Sequence, residues 1–485
     1  MTQPTSAPPT PPTPPAPPAP PRPLWRTWLM IAGPMMLTNA LQSIAGTVDG
    51  IYLGHLIGTD AIAAVSAFFP VFFFLLAVVI GLSAGATVMI GQAWGARDLI
   101  RVRNIAGTAL MMMFVAGVVI SVLGGLFAEP LMRGLGTPAS VFDAATLYAR
   151  WMLVGMPIVF LLWLTTSMSR GTGDAVSPLF TLLIATLLSL GFTPAFIFGW
   201  GPFPRLGVAS AAASTLLAFS IALLWMAACW RRQGHPLAPD QALWRAVRWN
   251  PALARGILRI GVPAAMQMLT MAIAEMALLG MVNRHGANAT AAYGAVTQVM
   301  SWLQLPVMTL GVTASILCAH AIGAGRSERV GAIVRTGFLC NLGLTGSLIV
   351  LVCLAAPTIM RGFLTDPDVL TLATHLLYIV AWSTLFMGMT AIMVGAMRAS
   401  GKVWIPMLLG VAGLLGIEVP AAWGFERIAG LTGIWWAYPL AFIAMWAMQG
   451  LCYRAFRRAS CRAQRNIAIP AQDSRTPTQP VDVQP

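Results

Sequence analysis

The run GLSAGATVMIGQAWGAR, residues 81–97, returns as GVTASILCAHAIGAGR, residues 311–326. Both are rich in small residues and end in a glycine-bearing turn followed by arginine. Working outward, Gly33-Pro34 has its counterpart in Gly261-x-Pro263. The stretch from Thr137-Pro138 to Tyr148 answers that from Asp366-Pro367 to Tyr378. RGTGDAVSP (170–178) answers RASGKVWIP (398–406). These four anchors keep one order at offsets of 228–230 residues. Chance gives one such match, not four in register, so the chain is built from two copies of one unit.

The solvent of that unit follows from composition. The 485 residues are 58% hydrophobic and 9% charged, whereas a soluble domain carries roughly 25% charged residues. The deficit extends over the whole length, and no segment is long and polar enough to be a soluble domain. Apolar runs fall near 28–53, 61–91, 104–127, 141–165, 177–199 and 207–230 in the first half. In the second they fall near 257–283, 289–322, 336–356, 369–396, 403–425 and 432–454. Each is about as long as the roughly 20 residues that cross a bilayer. All are expected to be helical, because lipid leaves no open backbone group satisfied. The expected fold is an all-α integral membrane protein of twelve transmembrane helices in two six-helix pseudo-symmetric lobes. The N-lobe is 28–230, the linker 231–256 and the C-lobe 257–455. A Pro-rich disordered tail (1–27) and a basic, disordered tail (456–485) flank them. An even number of helices per half gives both halves one orientation, about an axis along the membrane normal.

The charge of +14 records that orientation. With both termini cytoplasmic, 23 of the 29 Lys and Arg fall on the inner side and 6 on the outer, as the positive-inside rule requires. No aromatic-and-basic face points to a nucleic acid. The expected setting is a bacterial inner membrane, with the lipid bilayer as the one large partner and the chain a monomer. The six cysteines have no metal-ligand or CxxC spacing and read as small apolar packing residues. There is no GxxxxGK[ST] loop, HExxH or GxSxG, so neither ATP hydrolysis nor enzyme chemistry is expected, and no cofactor beyond a coupling ion.

Asp49, Glu275 and Glu418 are the acids inside apolar runs. An ionised carboxylate at mid-bilayer costs about 2.5–3.5 kcal/mol on insertion scales, so such residues face a cavity and bind something. Asn39, Gln42, Gly46 and Asp49 follow at spacings of 3, 4 and 3, which places them on one helical face. Pro34 frees a carbonyl below this stripe and is expected to bend the helix. Gln267, Met271 and Glu275 form an i, i+4 stripe on the first helix of the second half. Asp49 lies 15 residues after Pro34 and Glu275 lies 12 after Pro263, roughly one face and one turn apart. Glu418, beside Pro420, is open to either a structural or a functional reading. His320 is expected to be packed or hydrogen-bonded.

The ordered landmarks resemble the multidrug and toxic compound extrusion (MATE) family, over residues 28 to 455. VDGIYLGHLIGTDAIAAVS (48–66), GQAWGA (91–96), SRGTGDAVSP (169–178), the run 292–325 and MRASGKVWIP (397–406) carry the resemblance. It implies a central cavity, alternating access and export driven by Na⁺ or H⁺. Asp49 falls at the family's helix-1 carboxylate. In related proteins an Asn and an Asp on helix 5 and a Thr on helix 6 complete an N-lobe site. Those positions here are Ser189, Thr193 and Thr215. The missing second acid weakens a Na⁺ site at Asp49, because hard cations favour charged oxygens. Another branch uses a helix-7 Glu and a helix-10 Asp, and Met271 and Met387 stand there in this chain.

The expected function is therefore efflux of small cationic organic compounds by proton- or sodium-coupled antiport, leaning to the proton. Asp49 is its main coupling residue, with Asn39, Gln42, Glu275, Gln267, Ser189, Thr193 and Thr215 around it. A lipid-linked saccharide flippase would need a basic cavity for pyrophosphate, yet nearly all Arg sit at helix ends. A membrane-embedded enzyme needs clustered catalytic groups, and a receptor needs long loops or a signalling domain. Neither pattern is found.

Overall fold

The computed structural model describes residues 23–201 and 203–468. The side chains of Ala45, Asp49, Leu53 and 460–468 lie outside that description, as do both ends of the chain, including the Pro-rich run before residue 23.

The described chain is almost wholly helical. The first half holds α1 (Leu24–Tyr52), α2 (Thr59–Gly95), α3 (Leu99–Gly134), α4 (Phe142–Val154 continued by Met156–Gly171), α5 (Val176–Phe198) and α6 (Ala209–Gln233). The second holds α7 (Pro251–Asn283), α8 (Ala287–Gly323), α9 (Val330–Arg361), α10 (Pro367–Val380 continued by Thr384–Ala399), α11 (Trp404–Gly413 continued by Val419–Ala429) and α12 (Leu431–Ala468). Ten spans are long and apolar enough to cross a membrane, and α4, bent by 51° at Gly155, makes an eleventh. Together with α1 they are consistent with twelve. In α11 the join is a π-turn, Leu414–Glu418.

Helix ends follow local chemistry. Asp98 accepts from the Arg101 amide, Asp240 from Leu243, Asn250 from Ala252 and Leu253, and Asp366 from Asp368. Each satisfies amides that the first turn leaves without partners. Pro34 and Pro263 both lie inside their helices, as membrane helices tolerate when neighbours take up the freed backbone groups. The Thr38 hydroxyl donates to the Pro34 carbonyl at 2.8 Å.

Three boundaries differ from the sequence expectation. Residues 24–27 are helical rather than tail. The helix starts early because Trp28, fully buried, inserts against Gly337 of α9. The expected linker 231–256 begins inside α6, ends inside α7 and carries structure of its own between them. A short helix, Gln241–Ala246, docks so closely on α3 that a Cβ on Gly107 would strike the Ala246 carbonyl. Arg103 ties it with an ion pair to Asp240 at 3.1 Å and a bond to the Pro236 carbonyl. Finally, α12 runs on to Ala468, so the expected tail 456–485 begins as helix.

His235 in this linker stacks on Trp230, with ring centroids 5.0 Å apart, and has Asp174 at 4.0 Å. Burial pulls its pKa below the usual histidine value, and the Asp174 charge opposes that pull. A base with a lowered folded pKa binds fewer protons than the unfolded chain. The stability that goes with burying the neutral ring is thus full above the unfolded pKa and is lost as pH falls through the folded pKa, while the Asp174 charge limits that loss.

The first helix of each half packs on the other half. Trp28, Ile31, Ala32 and Met35 of α1 are buried in a cluster with Leu310, Ala314, Val334 and Ile392 of the second half. Reciprocally, α7 lies along α2 at backbone distance. A Cβ at Gly81 would strike Ala265 and Gly261, and one at Gly85 would strike the Ile257 carbonyl. Only small residues allow helices to approach so closely, which is why GLSAGA and the Gly261 region occur where they do.

Candidate functional site

The second half brings acids together. Glu275 is exposed on the flank of α7, one turn beyond Met271. Glu418 closes the π-turn of α11 and is 2% exposed, and among the described residues its Oε2 has no hydrogen-bond partner. The two carboxylates lie within electrostatic reach of each other and of the Tyr293 and Tyr438 hydroxyls. Those hydroxyls, from α8 and α12, are 3.3 Å apart. Among the described residues, neither acid has a basic group within ion-pair distance. Beside them is an apolar cluster of Ala274, Leu414, Phe442 and Met445, with Met271 and Met387 packed on it. The helix-7 and helix-10 positions that bear acids in one branch of the resembling family are therefore part of a greasy wall here. The acids stand one turn along α7 and across on α11.

This grouping has a physical cost. Burying an unpaired carboxylate is unfavourable unless something neutralises it. A π-turn, which is rare and concentrates at functional sites, sets Glu418 at this place. The acids of α7 and α11 and the tyrosines of α8 and α12 place four oxygen-bearing groups in one region of the second half.

Gln267, in the same α7 stripe, faces a different neighbourhood. It lines a narrow cleft with Arg398, Lys402 and Pro406, and its amide lies against Gly410 of α11. It does not join Glu275 and Glu418.

In the first half the expected residues disperse. The backbone of Asp49 is helical near the end of α1; its side chain lies outside the description. Asn39 donates across the halves to the Thr309 hydroxyl at 3.1 Å, so one member of the polar stripe makes an inter-half contact. Gln42 is half-buried. Thr193, fully buried, donates to the Ser189 carbonyl at 2.8 Å and meets the Ser214 hydroxyl at 2.7 Å. Its hydroxyl is engaged in α5–α6 packing. Among the described residues the buried Ser189 hydroxyl has no partner, and Thr215 is half-buried.

Sequence reading missed Tyr293, Tyr438 and Ser214, and left Glu418 undecided. Glu418 carried a signal, an acid beside Pro420 in an apolar run. The tyrosines carried none, because α8 and α12 meet at positions 145 residues apart.

The MatE family model matches residues 34–195 and again residues 263–423. This chain belongs to the MatE family. The two matched stretches begin at Pro34 and Pro263, the same landmark in each half. The probable multidrug resistance protein YoeA of Bacillus subtilis (strain 168) is 37% identical to this MatE chain over 421 residues, covering 86% of it and 91% of YoeA. The FAD transporter of Shewanella oneidensis is 27% identical over 424 residues, covering 85% of this chain and 92% of that one. A solved structure described as the outward-facing conformation of a multidrug resistance MATE family transporter matches with a TM-score of 0.82. The match, at 22% identity, covers 90% of this chain and 96% of that one. The fold is thus that of a MATE transporter, and this MatE chain is a multi-pass membrane transporter.

Proposed function

We propose that this transporter exports small cationic organic compounds by proton-coupled antiport, with two lobes, 28–230 and 257–455, alternating access across a bacterial inner membrane. The observation that carries the reading is that Glu418, buried on α11, and Glu275, on the flank of α7, both lie in the membrane-spanning helices of the second half without a basic partner among the described residues. Two such acids can hold a proton or a cation in turn, but cannot both stay ionised and empty without cost. Asp49 supplies the corresponding acid of the first lobe. A proton entering from outside displaces the organic cation, and its release inward resets the site. YoeA, a probable multidrug resistance protein, supports efflux of varied compounds. An anionic substrate, such as the one named for the Shewanella relative, fits an acidic interior less well. The flippase reading lacks the basic cavity that pyrophosphate would need.

The arginine-rich end of the bundle is assigned to the cytoplasm, with both termini there and the chain acting as a monomer. Sodium coupling is the second reading, and a specific feature favours it. Two carboxylates and two tyrosine hydroxyls offer the oxygen donors a hard cation takes. Against sodium at Asp49 stands the engagement of Thr193 with Ser214.

Glu418→Gln separates a functional from a structural carboxylate. The amide keeps the shape and removes an unpaired buried charge, so thermal stability should hold or rise. Uptake of a fluorescent organic cation into inverted membrane vesicles should fall about tenfold, the kinetic equivalent of ~1.4 kcal/mol. Full efflux together with a loss of stability would assign Glu418 to packing and remove the reading's main support.

A further inference from the structure

At the arginine-rich end, two hydrogen bonds cross between the halves. The Gln92 amide of α2 donates to the Ala399 carbonyl of α10 at 2.7 Å. The His320 Nε2 of α8 donates to the Gly171 carbonyl of α4 at 2.7 Å. Residues 92 and 320 are 228 apart, and so are residues 171 and 399. The two bonds are therefore one contact made twice, once in each direction across the pseudo-twofold axis.

Their chemistry is specific. Gly171 and Ala399 are the last residues of their helices, and terminal carbonyls have no partner within the helix. Each is capped by a side chain from the opposite half. The surroundings are shaped for these side chains. The His320 ring lies against Gly91 and Gly173, where a Cβ would come within 3.5 Å and 3.4 Å of ring carbons. Gly173 and its counterpart Gly401 both have positive φ, 91° and 75°, which turns the chain after each capped carbonyl. Beside the bonds, α2 and α8 touch backbone to backbone. A Cβ on Gly95 would strike the His320 carbonyl, and one on Gly323 the Gln92 carbonyl.

We propose that Gln92 and His320 form a reciprocal latch whose making and breaking sets the equilibrium between the state closed at this end and the state open there. They are positioning residues, touching neither substrate nor coupling ion. Because the halves move as bodies, both bonds break in one step, and their effects on the equilibrium multiply. The inference rests on the alternating-access reading above. Its test needs neither substrate nor ion gradient, so it can fail while the transport reading stands, and the reverse.

The test is a distance measurement between spin labels at Arg101 and Arg329, two exposed positions also 228 residues apart, in an otherwise cysteine-free full chain in lipid nanodiscs. Loss of one net hydrogen bond should raise the open-to-closed ratio about fivefold in Gln92→Ala or His320→Ala, and about 25-fold in the double variant. His320→Gln keeps a donor, makes the latch chemically symmetric and should restore the wild-type distribution. In transport, the alanine variants should change turnover and leave the apparent KM for the organic cation unchanged. A wild-type distance distribution in both alanine variants would overturn the latch, and so would a His320→Gln variant as open as His320→Ala. Should the double variant fail to fold, the single variants set against His320→Gln decide the question.

Discussion

Asp49→Asn should lower coupled efflux at least about tenfold, in cells and in liposomes, while the protein still inserts and folds. The amide keeps the size and hydrogen-bonding capacity of the side chain and removes its charge and its titration. At about 4 Å in surroundings of effective dielectric near 20, a carboxylate and a cation attract by ~4 kcal/mol, well above the ~1.4 kcal/mol that a tenfold loss requires. No other acid of α1 can substitute, since Asp49 is the helix's one carboxylate. The measurement is efflux of a fluorescent cation, paired with the pH change inside the liposomes. Full efflux in cells and unchanged proton-coupled transport would exclude Asp49 as the coupling residue.

Gly323→Val should block closure at the arginine-rich end. The added carbons would fall on the backbone of Gln92, which no rotamer change relieves. Forced overpacking costs about 1–3 kcal/mol, or about 5- to 150-fold in the ratio of closed to open forms. Transport should fall with it, because a carrier that cannot close one end leaks or stalls. Gly95→Val, against the His320 carbonyl, should behave alike by pseudo-symmetry. Gly343→Ala, with no atom within 4 Å of its Cβ, is the control and should be neutral. Labelling of an inter-half cysteine by a membrane-impermeant reagent reads the closure. Wild-type protection in Gly323→Val would contradict the packing of α2 on α8.

How much of this was legible in the sequence depended on the kind of signal. Backbone landmarks were legible, because Gly and Pro are constrained locally. Pro34 and Pro263, or Gly173 and Gly401, announce the repeat at any packing. Span positions were legible from apolar length. The early start of α1 was not, because it depends on Trp28 finding Gly337 in the other half. The acids were legible as residues but not as a site. Glu275 and Glu418 come into one region through a π-turn and the packing of α8 and α12, helices distant in sequence, and no periodicity encodes that placement. Thr193 shows the converse. Its position matched a family site, yet its hydroxyl is engaged with Ser214 of α6, a partner that spacing on α5 cannot name. The latch was half visible: Gln92 and His320 sit at matching places in the repeat, but an amide and an imidazole do not look alike until they are seen donating to the equivalent carbonyls of Ala399 and Gly171.

The most direct measurement is efflux of a fluorescent organic cation from liposomes holding the purified full chain, under proton and sodium gradients imposed separately. A proton gradient alone should drive transport, with lumenal pH changing in step with the cation, while a sodium gradient alone should give no more than the ungraded background. Transport driven by sodium alone would move the coupling to the second reading. Transport indifferent to both gradients would contradict ion-coupled antiport altogether.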